Sequence, residues 1–211
     1  MEMMEKSCRQ FLEELAGKAP TPGGGGTAAL VGAAGVALGS MVGCLTTGKK
    51  KYAAVEADIQ ALNAQADTLR RELEALVQAD AEVFAPLAAA YGLPKDTPEQ
   101  AAHKAAVLEQ ALDAACAVPL RIMEKCAEGI TLVEQYAAKG SVLAVSDAGC
   151  AAVLCKAALQ SASLNVFINT KLMKDRVHAA ALDAQADDLL DEFVPQADAV
   201  FVQVTNDLRG V

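Results

Sequence analysis

Thr27-Ala28-Ala29-Leu30-Val31-Gly32-Ala33-Ala34-Gly35-Val36-Ala37-Leu38-Gly39-Ser40-Met41-Val42-Gly43-Cys44-Leu45-Thr46-Thr47 carries no charged side chain, and it lies inside a longer uncharged stretch bounded by Lys18 and Lys49. A helix that is apolar all round is enclosed either by other helices or by lipid. The length alone would span a bilayer core. Against that, Gly, Ala, Ser and Thr dominate, no Trp or Tyr belt lies within it, and no second span is expected elsewhere in the chain. The expectation is a buried Gly/Ala-rich helix at the centre of a protein that needs no membrane. Gly35, Gly39 and Gly43 recur every fourth residue and make one smooth stripe, which serves either close helix packing or a subunit seam.

The rest of the chain supports an all-α bundle of about six helices in one domain over residues 1–211. Ala is abundant, aromatics are 4% and Trp is absent, a composition that favours closely packed helices over sheet. A first helix is expected over 3–15, with Cys8, Phe11, Leu12 and Leu15 at helical spacing. A third, amphipathic one is expected from Tyr52 to Tyr91, with Ile59, Leu62, Ala66, Leu69, Leu73 and Val77 on its buried face. Thr97-Pro98-Glu99-Gln100 is a capping box that opens a fourth, bent near Pro119. Ser146 or Asp147 caps a fifth. A sixth runs from Asp175 to about Leu208, interrupted at Pro195.

Net charge is −9, which excludes a general affinity for nucleic acid or an acidic membrane surface and makes the Lys49-Lys50-Lys51 cluster stand out. Six cysteines form no C-x-x-C pair and no secretory leader precedes them, so reduced thiols in a cytoplasmic protein are expected. Gly43 to Lys50 imitates a phosphate loop, but Lys50 stands where Ser or Thr must hold magnesium and a helix precedes it where a strand is required. Gly24-x-Gly26-x-x-Ala29 has the rhythm of a dinucleotide fingerprint without its βαβ unit. The two histidines, His103 and His178, show no partner at ligand spacing, so neither a metal site nor serine-hydrolase chemistry is expected.

Four features remain. Pro20-Thr21-Pro22-Gly23-Gly24-Gly25-Gly26 bares backbone N–H groups, so a helix starting at Gly26 or Thr27 would offer its positive end to an anion. Lys49 to Lys51 follow at the far end of that helix. Ser146-Asp147 precedes Gly149, and Asn165 and Asn169 lie four apart on one helix face. Each has a plain structural reading: a turn, a solvated helix end, an N-cap, a polar bridge between helices.

Taken in order with Met41-Val42 and Leu45-Thr46-x-Gly48-Lys49-Lys50, these motifs resemble the cyclodeaminase/cyclohydrolase family of folate enzymes, over essentially the whole chain. A fourth glycine, Gly26, and Thr27 stand where that family's pattern has three glycines and a Ser. Ser141 follows Gly140 where bifunctional relatives carry Asn, which bears on whether the formimino compound is the substrate. The resemblance implies an all-helical homodimer and chemistry at the amidine carbon bridging N5 and N10 of tetrahydrofolate, by cyclodeamination or cyclohydrolysis. No cofactor is implied beyond that substrate. It points to Asp147 as the proton relay and to Lys49 or Lys50 as the group polarising the leaving nitrogen. Substrate contacts fall to Thr21, Gly23, Gly24, Gly25, Gly26, Lys51, Ser146, Asn165 and Asn169, with the lysines gripping a glutamate or polyglutamate tail. A non-catalytic helical dimer that binds folate or another anion is the alternative.

Overall fold

The computed structural model describes residues 2–211 and contains six α-helices and no strand among them, the all-α bundle expected. They are α1 (Cys8–Leu15), α2 (Gly24–Cys44), α3 (Glu56–Tyr91), α4 (Pro98–Lys139), α5 (Val145–Thr170) and α6 (Arg176–Arg209). Helix α2 lies between α3 and α5, α6 flanks the far side of α5, and α4 packs against all four. Their buried apolar residues form one continuous core.

Local chemistry explains most boundaries and corrects several expectations. The first helix does not run from Met3: Ser7 caps it in a reciprocal box with Gln10, leaving Met3–Glu5 as a separate 3₁₀ turn. The third starts at Glu56, because Lys50–Val55 is wound as 3₁₀. The Thr97/Gln100 box and Pro98 open α4 as read, and the Asp175 carboxylate caps α6. Helix α5 begins at Val145 with Ala144 as an N-cap that makes no side-chain hydrogen bond, so neither Ser146 nor Asp147 caps it.

Pro119 and Pro195 do not interrupt their helices. At Pro119 the reason is visible. A proline cannot donate to the carbonyl four residues back, here that of Ala115. Asn169 Nδ2 from α5 donates to that oxygen at 3.1 Å and replaces the lost bond.

The glycine stripe is spent inside the chain, which overturns the subunit-seam reading. A Cβ on Gly32 would meet Cys126 Sγ at 2.9 Å, one on Gly35 would meet Cys155 Sγ at 2.6 Å, and one on Gly39 would meet Val133 at 3.1 Å. These pairings also set direction: Gly24 meets Asn165, Gly32 meets Ala158 and Gly35 meets Ala151, so α2 and α5 run antiparallel.

Opposite the stripe, both helices show an open apolar face, with Ala34, Ala37 and Met41 exposed on α2 and Val153, Leu164 and Ile168 exposed on α5. Contrary to the single-span expectation, Val142–Thr170 joins Gly24–Cys44 as long and apolar enough to cross a membrane by length and composition. About half of each is already covered by the bundle, 50% and 44% of the most apolar window.

Candidate functional site

Helix α2 starts at Gly24, earlier than the sequence spacing predicts, and α3 delivers a carboxylate to its N-terminus. Gly26 N–H donates to Asp80 Oδ2 at 2.7 Å. Thr27 Oγ1 donates back to the Gly23 carbonyl at 2.7 Å and closes the first turn. The glycines are needed for this contact. A Cβ on Gly25 would overlap the Asp80 carboxyl group, and one on Gly26 would press within 3.3 Å of the Val77 carbonyl. Burial pushes the Asp80 carboxyl above its ordinary value, and the Gly26 N–H opposes this only in part.

Above Asp80 opens a recess of about 120 Å³. Thr21, Gly23 and Gly24 form one wall, Asp80 and Phe84 a second, and Asn165 with Asn169 a third. Asn165 Nδ2 donates to the Ser161 carbonyl at 2.9 Å, and Asn169 Nδ2 is held by Ala115 as described. Both side chains are thereby oriented by α4 and α5. The recess thus unites a proton-accepting group of raised pKa, a helix N-terminus and two carboxamides, which suits proton transfer at a polar, cationic carbon.

The other sequence-predicted residues lie elsewhere. Helix α2 separates the Gly loop from Lys49, Lys50 and Lys51 by about 30 Å at the α-helical rise. Because α5 runs antiparallel to α2, Ser146 and Asp147 in its first turn fall at the lysine end as well. The expected single site is therefore two clusters in one chain, and Asp147 does not reach the recess. At the lysine end, Ser141 N–H donates to Thr46 Oγ1 at 2.8 Å, and Lys49 Nζ donates to Ser141 Oγ at 3.4 Å. Val142 N–H donates to Tyr52 OH at 3.1 Å, and this bond above all holds the phenol below its usual pKa. Lys51 Nζ stands 5.4 Å from the Tyr52 ring centroid.

Asp80 escaped the sequence reading although a signal was present. It falls on the stripe of Leu73, Val77, Phe84 and Leu87, where an acid interrupts an apolar register. His178 also corrects an expectation, since its Nε2 lies 2.7 Å from Asp113 Oδ1, and that carboxylate raises the imidazole pKa. Both groups are exposed. Among the described residues no three His, Cys, Asp or Glu side chains cluster as a metal site would need. All six cysteines are free, and burial pushes the thiols of Cys116 and Cys155 up to about 12, far from nucleophilic range. A larger cavity, about 760 Å³ beside Glu72, Lys125 and Phe193, holds none of the predicted site residues.

Comparison with known proteins returns one consistent picture. The family profile described as formiminotransferase-cyclodeaminase matches residues 7–188. Methenyltetrahydrofolate cyclohydrolase of Methylorubrum extorquens is 47% identical over 182 residues, which are 86% of this chain and 88% of that protein. Formimidoyltransferase-cyclodeaminase of Mus musculus is 34% identical over 92% of this chain, and the match spans only 36% of that longer protein. The crystal structure of formiminotetrahydrofolate cyclodeaminase from Thermotoga maritima superposes with a TM-score of 0.81 at 29% identity, covering 99% of this chain and 98% of that one.

Proposed function

This chain belongs to the formiminotransferase-cyclodeaminase family, and from that membership we propose that it hydrolyses the methenyl bridge of 5,10-methenyltetrahydrofolate. It is a folate one-carbon enzyme acting at the carbon between N5 and N10, as a cyclohydrolase or a cyclodeaminase. The 47% identity to a cyclohydrolase matched over most of its length favours the hydrolytic reaction. The observation that carries a mechanism is the Asp80 carboxyl, pinned by Gly26 in a recess of polar groups.

In this reading the carboxylate faces the cationic methenyl carbon and stabilises its charge. Water adds to that carbon, Asp80 accepts the proton, and a tetrahedral adduct forms. One C–N bond then breaks as Asp80 returns the proton to the leaving nitrogen, leaving a formyl group on the other. The second proton of the water is released to solvent. A carboxyl of raised pKa suits both halves of this relay near neutral pH. No cofactor enters beyond the folate itself, and the acidic protein has no role for nucleic acid.

The apolar face of α2 and α5 is the surface by which two copies pair, in place of lipid. A twofold axis lying in the plane of that face and perpendicular to α2 sets the Gly loop of one protomer beside the Lys49 to Lys51 and Asp147 end of its partner. Substrate would then contact Thr21, Gly23, Gly24, Asn165 and Asn169 of one chain, with Lys49, Lys50, Lys51, Ser146 and Asp147 reaching it from the other. Mixed dimers test this: Asp80→Asn and Asp147→Asn proteins, each impaired alone, regain about half the wild-type activity per mixed dimer when co-assembled. Absence of any recovery in a verified mixed dimer refutes the shared site, and a protein that sediments as a monomer without detergent refutes the pairing.

The reaction itself is tested by mixing purified protein with methenyltetrahydrofolate and following loss of its near-ultraviolet band. The formimino compound is then supplied while ammonia is trapped. Hydrolysis without ammonia release is expected. Ammonia release assigns the cyclodeaminase reaction instead, and binding with neither turnover identifies a non-catalytic carrier.

A further inference from the structure

We infer that Pro119 is a positioning residue for the substrate: by leaving the Ala115 carbonyl without a helical donor, it holds the Asn169 carboxamide across to α4, so that the amide's oxygen and second N–H are presented to the recess. This rests on the folate reading above. It gives a reason for keeping, inside the 42-residue α4, the residue type that a helix interior tolerates least.

Pro86 in α3, Pro119 in α4 and Pro195 in α6 all stand within helices. Each leaves the carbonyl four residues back without its donor, at Glu82, Ala115 and Asp191 respectively. Pro86 and Pro195 are exposed, as are Glu82 and Asp191, so water can satisfy those two carbonyls. Pro119 is buried and Ala115 is 4% exposed, so the third carbonyl needs a partner from the protein. Asn169, 54 residues further along the chain, supplies it with an N–H at 3.1 Å. Ala115, Pro119 and Asn169 line the recess together with Asp80, so the proline stands in the wall of the site.

The bond also fixes which way round the amide sits. A carbonyl oxygen only accepts, so the Asn169 nitrogen must point to Ala115 and the carboxamide oxygen must point away from it. One acceptor and one donor, in a single plane, are left for whatever enters the recess. A reduced pterin, whose ring carries N–H groups beside a carbonyl, matches such a pair. Asn165 shows the arrangement that competes, since its Nδ2 turns back to the Ser161 carbonyl of its own helix at 2.9 Å. With an N–H restored at residue 119, the Ala115 carbonyl is satisfied within α4. Asn169 is then released to turn along α5 toward the Asn165 carbonyl, four residues back, and its oxygen is no longer aimed by α4.

The test is a cycle of four proteins, the wild type, Pro119→Ala, Asn169→Ala and the double variant, read by KM for methenyltetrahydrofolate and by Tm without ligand. Pro119→Ala should raise KM about 3- to 10-fold, the worth of one hydrogen bond, and should add little once Asn169 has been truncated. Asn169→Ala should lower Tm by about 2–10 °C while Pro119 is present, because the buried Ala115 carbonyl loses its donor. The same truncation should cost far less in the Pro119→Ala background, where residue 119 supplies an N–H. A proline with a merely structural role would give additive changes in both cycles. An unchanged KM in Pro119→Ala, or additive effects on KM or on Tm, overturn the proposal. Failure of the folate reading looks different. A wild type that neither turns over a folate nor binds 5-formyltetrahydrofolate in calorimetry refutes that reading, and the positioning role for that substrate with it. Binding of that compound without turnover refutes only the catalysis, and its Kd then takes the place of KM in the same cycle.

Discussion

Asp80→Asn is expected to lower kcat by about 10²- to 10⁴-fold, the range for loss of a general acid–base group, with the helical fold intact. The amide keeps an oxygen for the Gly26 N–H, so the first turn of α2 retains its partner while the proton relay is lost. Steady-state hydrolysis of methenyltetrahydrofolate measures the effect, and circular dichroism checks the fold. A variant with wild-type turnover would remove Asp80 from the mechanism.

The same substitution carries an opposite expectation for stability. Folding raises the Asp80 pKa because burial disfavours the charged form. The folded state therefore binds the proton more tightly than the unfolded chain does. The stability that this contributes is complete below the ordinary carboxylate pKa and is lost as pH rises through the raised value. Asparagine does not titrate. The variant's Tm should therefore gain on the wild type's as pH climbs through that window, and a constant difference would argue that the carboxyl is not buried as described.

Gly35→Val is expected to give the largest loss of stability without touching the recess. Its Cβ alone would lie 2.6 Å from Cys155 Sγ and 3.2 Å from both the Ala151 carbonyl oxygen and the Cys155 nitrogen. The last two are backbone atoms of α5, so relief requires the helices to separate. Overpacking of this kind costs about 3 kcal/mol, against which valine's better helix propensity returns only a few tenths. At about 2–4 °C per kcal/mol for a domain of this size, Tm should fall by roughly 6–12 °C. Gly35→Ala should show a smaller drop. Combining Gly35→Ala with Cys155→Ala removes the sulfur it strikes, so the double variant should be more stable than the sum of the single losses predicts. An unchanged Tm in Gly35→Val would mean that α2 and α5 do not approach at this point.

Some residues whose roles are set within a turn or two of themselves were readable in order along the chain, while the Ser7/Gln10 box was not and Ser146 and Asp147 were read as caps that α5 does not use. Thr97 and Gln100 cap α4 through bonds spanning three residues, and Asp175 caps α6 in the same way. The uncharged run from Thr27 became the central helix because nothing on it requires water. Asp80 was harder to read, since an isolated acid on an apolar stripe looks like a tolerated exception until its partner, Gly26, arrives from 54 residues away. Asn169 illustrates a second kind of ambiguity. Its amide is placed by a carbonyl that Pro119 leaves unpaired, so one residue both repairs a helix and lines the recess.

The amino-acid order by itself determined that this protein is a bundle of about six helices around a Gly/Ala core, and it picked out the Gly loop, Asn165 and Asn169 but not Asp80. Periodicity, capping and composition are local quantities, and a linear text records them in full. Only the tertiary structure decided that α2 and α5 lie antiparallel, which draws the Gly loop and Asn165 together and sends Lys49 and Asp147 to the other end. Helix direction follows from which faces fit across the bundle, as Gly35 fits Cys155, and that fit exists only once distant segments have met.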